Sequence, residues 1–206
     1  MTMSQDPIFE TAHNALLFAF NFSDQQYERP LMNRLADDPV GNVSKGLSGM
    51  DGAAQAGMIF GRMKMLSDLS QHIIFAQYAP PTIRCDCGRS CCTGRKPNEL
   101  WEYAINEISK ASITGATVGV LSYRILRDAI VRKMFGAKVD IVAAAARCGL
   151  EERQAYRHQA AIKRWLDGKR VQKSDDRPGV RVVAFEHVSR LLMDSRIVIS
   201  PTHLTA

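Results

Sequence analysis

The sequence lacks several features that mark particular classes of protein. The 206-residue chain has no run of about 18 consecutive apolar residues, the minimum for a membrane-spanning helix. Its first ten residues, MTMSQDPIFE, do not show the basic and then apolar layout of a secretory signal peptide. These absences predict a cytoplasmic protein with no membrane partner.

Signatures of catalysis are also missing. We find no H-E-x-x-H, P-loop, G-x-S-x-G or paired-carboxylate pattern, and the five histidines are scattered along the chain. We therefore predict that the protein is not an enzyme. Two competing interpretations stay open: a nuclease-like or recombination enzyme using a cysteine-bound metal, and a packaging protein that binds nucleic acid without sequence preference.

Strand signals and internal repeats are scarce, and apolar residues recur mainly at helical spacing, so the fold class predicted is mostly α. Ser67 or Gly61 is expected to break the second helical stretch, Asn98 to cap a helix start and Gly136 to end one. Residues 112–122 are expected to form a loop or a short strand. The predicted regions are a helical N-terminal region at 1–80, a cysteine-rich zinc loop at 81–97, a helical DNA-binding region at 98–168, a linker at 169–179, and a C-terminal helix and tail at 180–206.

Charge is unevenly distributed along the chain. Residues 1–60 hold three basic and seven acidic residues, whereas residues 120–173 hold thirteen basic and five acidic residues, a net charge of +8. A basic segment of this kind favours a polyanionic partner, above all nucleic acid. The competing explanation is an uneven but merely solvated surface.

The segment 138–166 has the pattern of a helix-turn-helix. Ala145 is the small residue expected where two helices cross, Gly149 permits the tight turn four residues later, and Leu150 is the apolar residue that follows. The two helices are predicted at 138–148 and 151–167. The inward face of the second helix is assigned to Ala155, Gln159 or His158, Ile162, and Trp165 or Leu166.

The other face of the second helix is rich in side chains that bind DNA. Arginine and glutamine form paired hydrogen bonds with guanine and adenine in the major groove, and lysine contacts phosphates. The same sequence pattern also fits an ordinary helical hairpin on a basic surface. The predicted DNA-binding residues are Arg153, Gln154, Arg157, Lys163, Arg164 and Lys169.

Four of the five cysteines fall in one short loop, CDCGRSCC. Cys85, Cys87, Cys91 and Cys92 follow the spacing C-x-C-x₃-C-C, and clustered thiols in a reducing compartment favour a structural zinc ion. The adjacent pair is sterically awkward for one tetrahedral site, so His72 or another residue could replace one thiolate. The competing interpretation is a surface loop of thiols without metal.

Three short motifs and their order resemble the lambdoid phage antitermination protein Q family. The motifs are LSGMDGAAQAG at 47–57, FAQYAPPTIRCDCG at 75–88 and LWEYAI at 100–105, followed by the helix-turn-helix. The chain departs from the best-known branch in its cysteines, because that branch uses two separated C-x₂-C pairs and this chain has one compact cluster.

The resemblance implies a transcription antiterminator of phage or prophage origin, acting in the cytoplasm of a bacterial host cell. Such a protein binds double-stranded DNA near a late promoter, engages the bacterial RNA polymerase holoenzyme paused downstream, and makes the polymerase read through terminators. The acidic first third of the chain would then contact polymerase. A helix-turn-helix activator or repressor that acts only at initiation is the competing function.

Overall fold

The computed structural model describes residues 7–28, 49–85, 87, 89–90, 93–116, 123–168 and 177–199. The prediction of a mostly α fold is confirmed, because these residues form eight helices and one small two-stranded sheet. The helices are α1 (Ala12–Glu28), α2 (Gly49–Met63), α3 (Asp68–Tyr78), α4 (Glu99–Gly115), α5 (Arg124–Met134), α6 (Ile141–Ala146), α7 (Glu152–Asp167) and α8 (Val180–Asp194). The strands are β1 (Thr82–Arg84) and β2 (Arg95–Pro97). No helix in these ranges is both long and apolar enough to cross a bilayer.

The chain divides into two compact units, each assembled from separate stretches. The first comprises residues 1–66, 82–96 and 186–206, and the second comprises residues 67–81 and 97–185. The first unit joins the two ends of the chain, because Phe9 and Val198 form a parallel β-bridge. The N–H of Phe9 donates to the carbonyl of Ile197 (3.1 Å), and the N–H of Ile199 donates to the carbonyl of Phe9 (3.0 Å).

Aromatic packing between α1 and its neighbours fills the core of the first unit. The rings of Phe9 and Phe18 lie 5.2 Å apart between centroids, and those of Phe20 and Phe60 meet edge to face at 5.2 Å. Edge-to-face and tilted ring pairs stabilise a core beyond their buried area. Ala12, Leu16 and Phe20 of α1 are buried, so this side of the helix belongs to the core.

In the second unit, α3 and α4 pack around Trp101. Its side chain is 1% exposed, and its indole Nε1–H donates to the carbonyl of Ala76 (3.1 Å). Asn98 caps α4, since its Oδ1 accepts from the N–H of Leu100 (3.2 Å) and its Nδ2 donates to the carbonyl of Pro80 (2.9 Å). The predicted cap at Asn98 is confirmed.

The predicted helix break falls at Ser67 and not at Gly61. Helix α2 continues through Gly61 to Met63, and α3 starts after Ser67, whose side chain accepts from the N–H of Ser70. Serine is a strong N-cap, whereas a single glycine inside a helix only weakens it.

The expectation of a loop or strand from residue 112 is wrong for residues 112–115, which complete α4; residues 117–122 lie outside the described residues. Hydroxyl groups are accommodated within the helix, because Ser112 Oγ donates to the carbonyl of Ser109 (2.7 Å) and Thr114 Oγ1 donates to that of Ala111 (3.2 Å). Gly115 has a packing role: a Cβ there would overlap the indole of Trp165.

Helices α5, α6 and α7 pack against one another in the second unit. Their largest fully buried residues are Leu126, Ile130, Ile141, Ile162 and Leu166. Burial of such side chains contributes roughly 1.5–3 kcal/mol each. This apolar centre fixes which face of α7 points inward.

Gly168, just before the predicted linker, and Gly179, its last residue, lie together. A Cβ at Gly179 would overlap backbone atoms of residues 166–168, so the chain returns to the end of α7 after residues 169–176, which lie outside the described residues. Arg181 strengthens this closure: its Nη1 lies 3.4 Å from Asp167 Oδ1, and its Nη2–H donates to the carbonyl of Met134 (3.0 Å). The end of α7 is therefore anchored.

Candidate nucleic-acid interface

A tight turn connects α6 to α7. The N–H of Gly149 donates to the carbonyl of Ala146 (3.0 Å), and the N–H of Leu150 donates to the carbonyl of Ala145 (3.0 Å). These two bonds, with Gly149 at φ +71°, form a Schellman motif, in which a left-handed residue ends a helix. Glycine is favoured here because a Cβ is strained at positive φ. The turn therefore depends on the residue that the sequence singled out.

Side chains cap the start of both helices. The carboxylate of Asp140 accepts from the N–H groups of Val142 (2.8 Å) and Ala143 (3.2 Å) at the start of α6. At the start of α7, the N–H of Glu151 donates to Gln154 Oε1 (3.0 Å). Gln154 thus stabilises the helix start, and its carbonyl oxygen is already engaged. A paired contact with adenine needs both the donor and the acceptor of the amide, so Gln154 is the weakest of the predicted base readers.

The inner face of α7 is apolar apart from one histidine. Ala155, His158, Ile162 and Leu166 are buried. Of the pairs left open by the sequence, His158 and Leu166 are the fully buried members, whereas Gln159 and Trp165 are half-buried. This burial leaves the opposite face of α7 to solvent.

The outer face of α7 is cationic. We use this name for the exposed side chains of Arg153, Arg157, Lys163 and Arg164. None of the four forms an ion pair with another residue in the described part of the chain. Lys169 lies outside the described residues. The cations of this face therefore have no direct ion-pair partner among the described residues, and the carboxylates of the exposed Glu151 and Glu152 border the same depression as Arg153 and Arg157.

Three cations on the neighbouring helices α4 and α5 have carboxylate partners. Arg132 binds the carboxylate of Glu102 with two hydrogen bonds and lies 5.7 Å from the ring centre of Trp101. Arg124 Nε lies 3.6 Å from Asp128 Oδ2, and Lys110 Nζ lies 2.6 Å from Glu107 Oε1. The pKa of Glu102 is lowered, mainly by the hydrogen bond from Arg132. Ion pairs thus account for these three charges, whereas the exposed Lys133 of α5, like the cations of the outer face, has no ion pair among the described residues.

The outer face contains one residue that the sequence interpretation missed. Tyr156 is 48% exposed and borders a depression in the surface, whose other lining residues are Glu151, Glu152, Arg153, Arg157 and Ala160. Arg153, Arg157, Ala160 and Arg164 recur at i, i+4, i+7 and i+11, so they form one stripe along the helix. The small side chain of Ala160 leaves room between the two arginines and Arg164. The same helical spacing would have identified Tyr156, which lies three residues after Arg153.

His158 is buried next to this surface. It is 6% exposed, and its ring meets that of Tyr123 edge to face at 6.2 Å. Its Nδ1 has no hydrogen-bond partner among the residues that the structure describes. Burial, and then the positive charge of Arg157, lower its pKa. Both causes disfavour the protonated imidazole.

We expect the second unit to lose stability as the pH falls from about 7.5 to about 5.5. Because the pKa of His158 is lower in the folded chain, the unfolded chain binds the proton more readily. The stabilisation is present above the ordinary pKa of about 6.5 and is lost as the pH falls towards the lowered value. Urea unfolding followed by circular dichroism at both pH values measures the loss.

His158→Leu should flatten this pH dependence. His187→Leu, which alters an exposed histidine, should leave it unchanged. An equally steep loss of stability in His158→Leu would show that another group is responsible.

The cysteine segment forms the end of a hairpin in the first unit. The N–H of Cys85 donates to the carbonyl of Gly94 (2.9 Å), which closes the loop above β1 and β2. Cys85 is half-buried and Cys87 is exposed, whereas Cys91 and Cys92 lie outside the described residues. The described residues include His72, and among them no group of three or more His, Cys, Asp or Glu side chains that could hold a metal ion is found. Cys148 is half-buried in the turn after α6.

No known protein family, curated protein or solved structure matches this chain. The functional proposal for this chain therefore depends on its sequence and on the geometry of the described residues.

Proposed function

We propose that this chain binds double-stranded DNA through the outer face of α7, as a helix-turn-helix regulator of transcription. The observation that carries the proposal is an exposed helix face with four cations that lack carboxylate partners in the described part of the chain. An α-helix fits the major groove of B-form DNA, and phosphates supply the counter-charge.

Residues at the start of α7 and residues further along the helix are expected to contact different parts of the DNA. In helix-turn-helix proteins, residues near the start of the second helix reach base edges. Arg153 and Arg157 lie in the first turns and carry the paired donors that match guanine O6 and N7. Lys163 and Arg164 lie two turns further along and are placed to contact phosphates, which set register rather than sequence.

We further propose that the bound protein acts as an antiterminator on bacterial RNA polymerase holoenzyme. This part depends on the resemblance of the motifs at 47–57, 75–88 and 100–105 to the lambdoid antitermination protein Q family. The acidic first third of the chain is the candidate surface for polymerase. Neither half of the proposal requires a catalytic residue, and we propose no enzymatic activity.

Terminator read-through in a purified transcription system tests this function. The DNA element is first selected from a random duplex library, placed beside a promoter-proximal pause, and followed by an intrinsic terminator. We expect read-through to rise when the protein is added before polymerase leaves the pause. Read-through that stays at the level without protein would refute antitermination.

The same system separates the competing functions. An activator or repressor of initiation would change the amount of transcript but not the fraction that passes the terminator. A packaging protein would bind all duplexes equally, with a steep salt dependence. A pull-down of holoenzyme with and without promoter DNA then shows whether polymerase contact needs the DNA site.

We also propose that the hairpin of the first unit holds a structural zinc ion through Cys85, Cys87, Cys91 and Cys92. A loop of polar residues buries little apolar surface, so a metal can supply the stability that a core does not. The hydrogen bond between Cys85 and Gly94 brings the two ends of this loop together, which suits a compact site.

Cys87→Ser should lower the zinc content from about one ion per chain to well below it, because it removes a thiolate ligand. Elemental analysis after dialysis against a weak chelator measures the content. Cys148→Ser is the matched control and should retain zinc, since Cys148 lies in the other unit. Stoichiometric zinc in Cys87→Ser would exclude that cysteine as a ligand.

A further inference from the structure

Helix α2 has an apolar face directed at solvent. Its buried side is formed by Ala56, Ile59 and Met63. On the opposite side, uncharged residues recur at i, i+4, i+7, i+8 and i+11, which is the spacing of one helix face. We call these residues, together with Met65 in the turn that follows the helix, the α2 stripe: Met50, Ala54, Gly57, Met58, Gly61 and Met65. A surface helix ordinarily carries charged residues on this side.

The methionines of the stripe are unusually exposed. Met50 is 89% exposed, Met58 is 44% exposed and Met65 is 62% exposed. Ala54, Gly57 and Gly61 lie between them, so the stripe is continuous and uncharged, and a continuous apolar patch marks an interaction site more often than scattered residues do. Methionine adapts its shape to a partner because its side chain is unbranched and polarizable.

The two glycines of the stripe have no evident use within one molecule. A Cβ built at Gly57 or at Gly61 meets no atom within 4 Å, so neither glycine is required by a neighbour in the described part of the chain. Glycine is the least favourable helix-interior residue apart from proline. Its advantage in a helix is the close approach of another backbone, which a bare surface does not need.

Charges beside the stripe identify the occupant. Asp51 and Arg62 are exposed, lie on the same flank of the stripe and are eleven residues apart. Neither forms an ion pair in the described ranges, and Arg62 Nη1–H donates only to Met65 Sδ (3.9 Å). Measured along the helix axis, the midpoint between these two charges is level with Gly57, which lies on the other flank of the stripe.

We propose that a second copy of this chain packs on the α2 stripe with its own α2 antiparallel. In an antiparallel pair related by a two-fold axis, the same flanks of the two helices meet. Asp51 of each copy then faces Arg62 of the other, and the two helices approach most closely beside Gly57. A parallel pair would not bring these two residues together.

Sedimentation equilibrium of the full chain, with charge reversal, tests the arrangement. The wild-type protein at about 100 µM should be dimeric. Asp51→Lys should raise the dimer dissociation constant by about tenfold or more, because two attractions become two repulsions. Arg62→Glu should do the same, and the double variant Asp51→Lys/Arg62→Glu should restore association.

The double variant is also the folding control, because it carries both single changes to the helix. Gly57→Leu supplies a second test that changes no charge: it should abolish the dimer while thermal unfolding of the monomer stays cooperative. A monomeric wild-type protein at this concentration would overturn the proposal. So would single reversals without effect, or a double variant that fails to regain the dimer.

Discussion

Replacing Trp101 with alanine will lower the free energy of unfolding by about 3–5 kcal/mol, the usual cost of removing a large buried aromatic side chain. The side chain is 1% exposed and lies between α3 and α4. Its loss leaves a cavity and deprives the carbonyl of Ala76 of a hydrogen-bond donor. It also removes the ring over which the guanidinium of Arg132 lies.

The adjacent Leu100 provides the control, since its side chain is 64% exposed. Leu100→Ala should change stability by about 0.5 kcal/mol or less, as exposed positions usually do. Urea unfolding followed by far-ultraviolet circular dichroism measures both variants. If Trp101→Ala lowered the free energy of unfolding by less than about 1 kcal/mol, Trp101 would not be a principal core residue of the second unit.

The double variant Arg153→Ala/Arg157→Ala will weaken binding to the selected duplex by about 2–4 kcal/mol, or roughly 30- to 1,000-fold. Each arginine is exposed on α7, and each can form a paired hydrogen bond with a guanine. Binding to duplexes without the target should fall much less, because phosphate contacts from Lys163 and Arg164 remain.

A control double variant distinguishes the loss of positive charge in general from the loss of charge on the outer face of α7. The double variant Lys110→Ala/Arg124→Ala removes the same charge from the second unit, at side chains already paired with Glu107 and Asp128. It should alter affinity by about threefold or less at physiological salt. Equal losses in the two double variants would mean that net charge, and not the outer face of α7, sets binding.

The helix boundaries that were predictable from sequence depend on local chemistry. Gly149 and Gly136 end helices by adopting positive φ, +71° and +87°, and the sequence identifies both because glycine is favoured there. Asn98 caps a helix because its side chain replaces a missing backbone acceptor. Signals of this kind need only neighbouring residues.

The features that escaped prediction depend on distant residues. The last turn of α4 contains Ser112, Thr114 and Gly115, which have low helix propensity. The helix nevertheless continues to Gly115, because the indole of Trp165 packs against that glycine. Strand β2 has three exposed residues and no alternation, so only its pairing with β1 defines it. The bridge between Phe9 and Val198 joins opposite ends of the chain, and no local pattern announces it.

In the candidate interface, too, some features follow from local sequence and others depend on distant residues. The exposure of Arg153, Arg157, Lys163 and Arg164 follows from helical period once the buried face is known. The role of Gln154 in the start of α7 is a local hydrogen bond that competes with base reading. The burial of His158 in place of Gln159 depends on how α5 packs against α7, which the sequence does not specify.

Titration of ¹⁵N-labelled protein with the selected duplex, followed by TROSY spectra, tests most directly whether α7 holds DNA. We expect the largest shift changes at the backbone amides of residues 151–164 and at the Gly149 turn, with the buried core of the first unit unchanged. Saturable binding that shifts other amides and leaves those of α7 in place would contradict DNA binding through this helix.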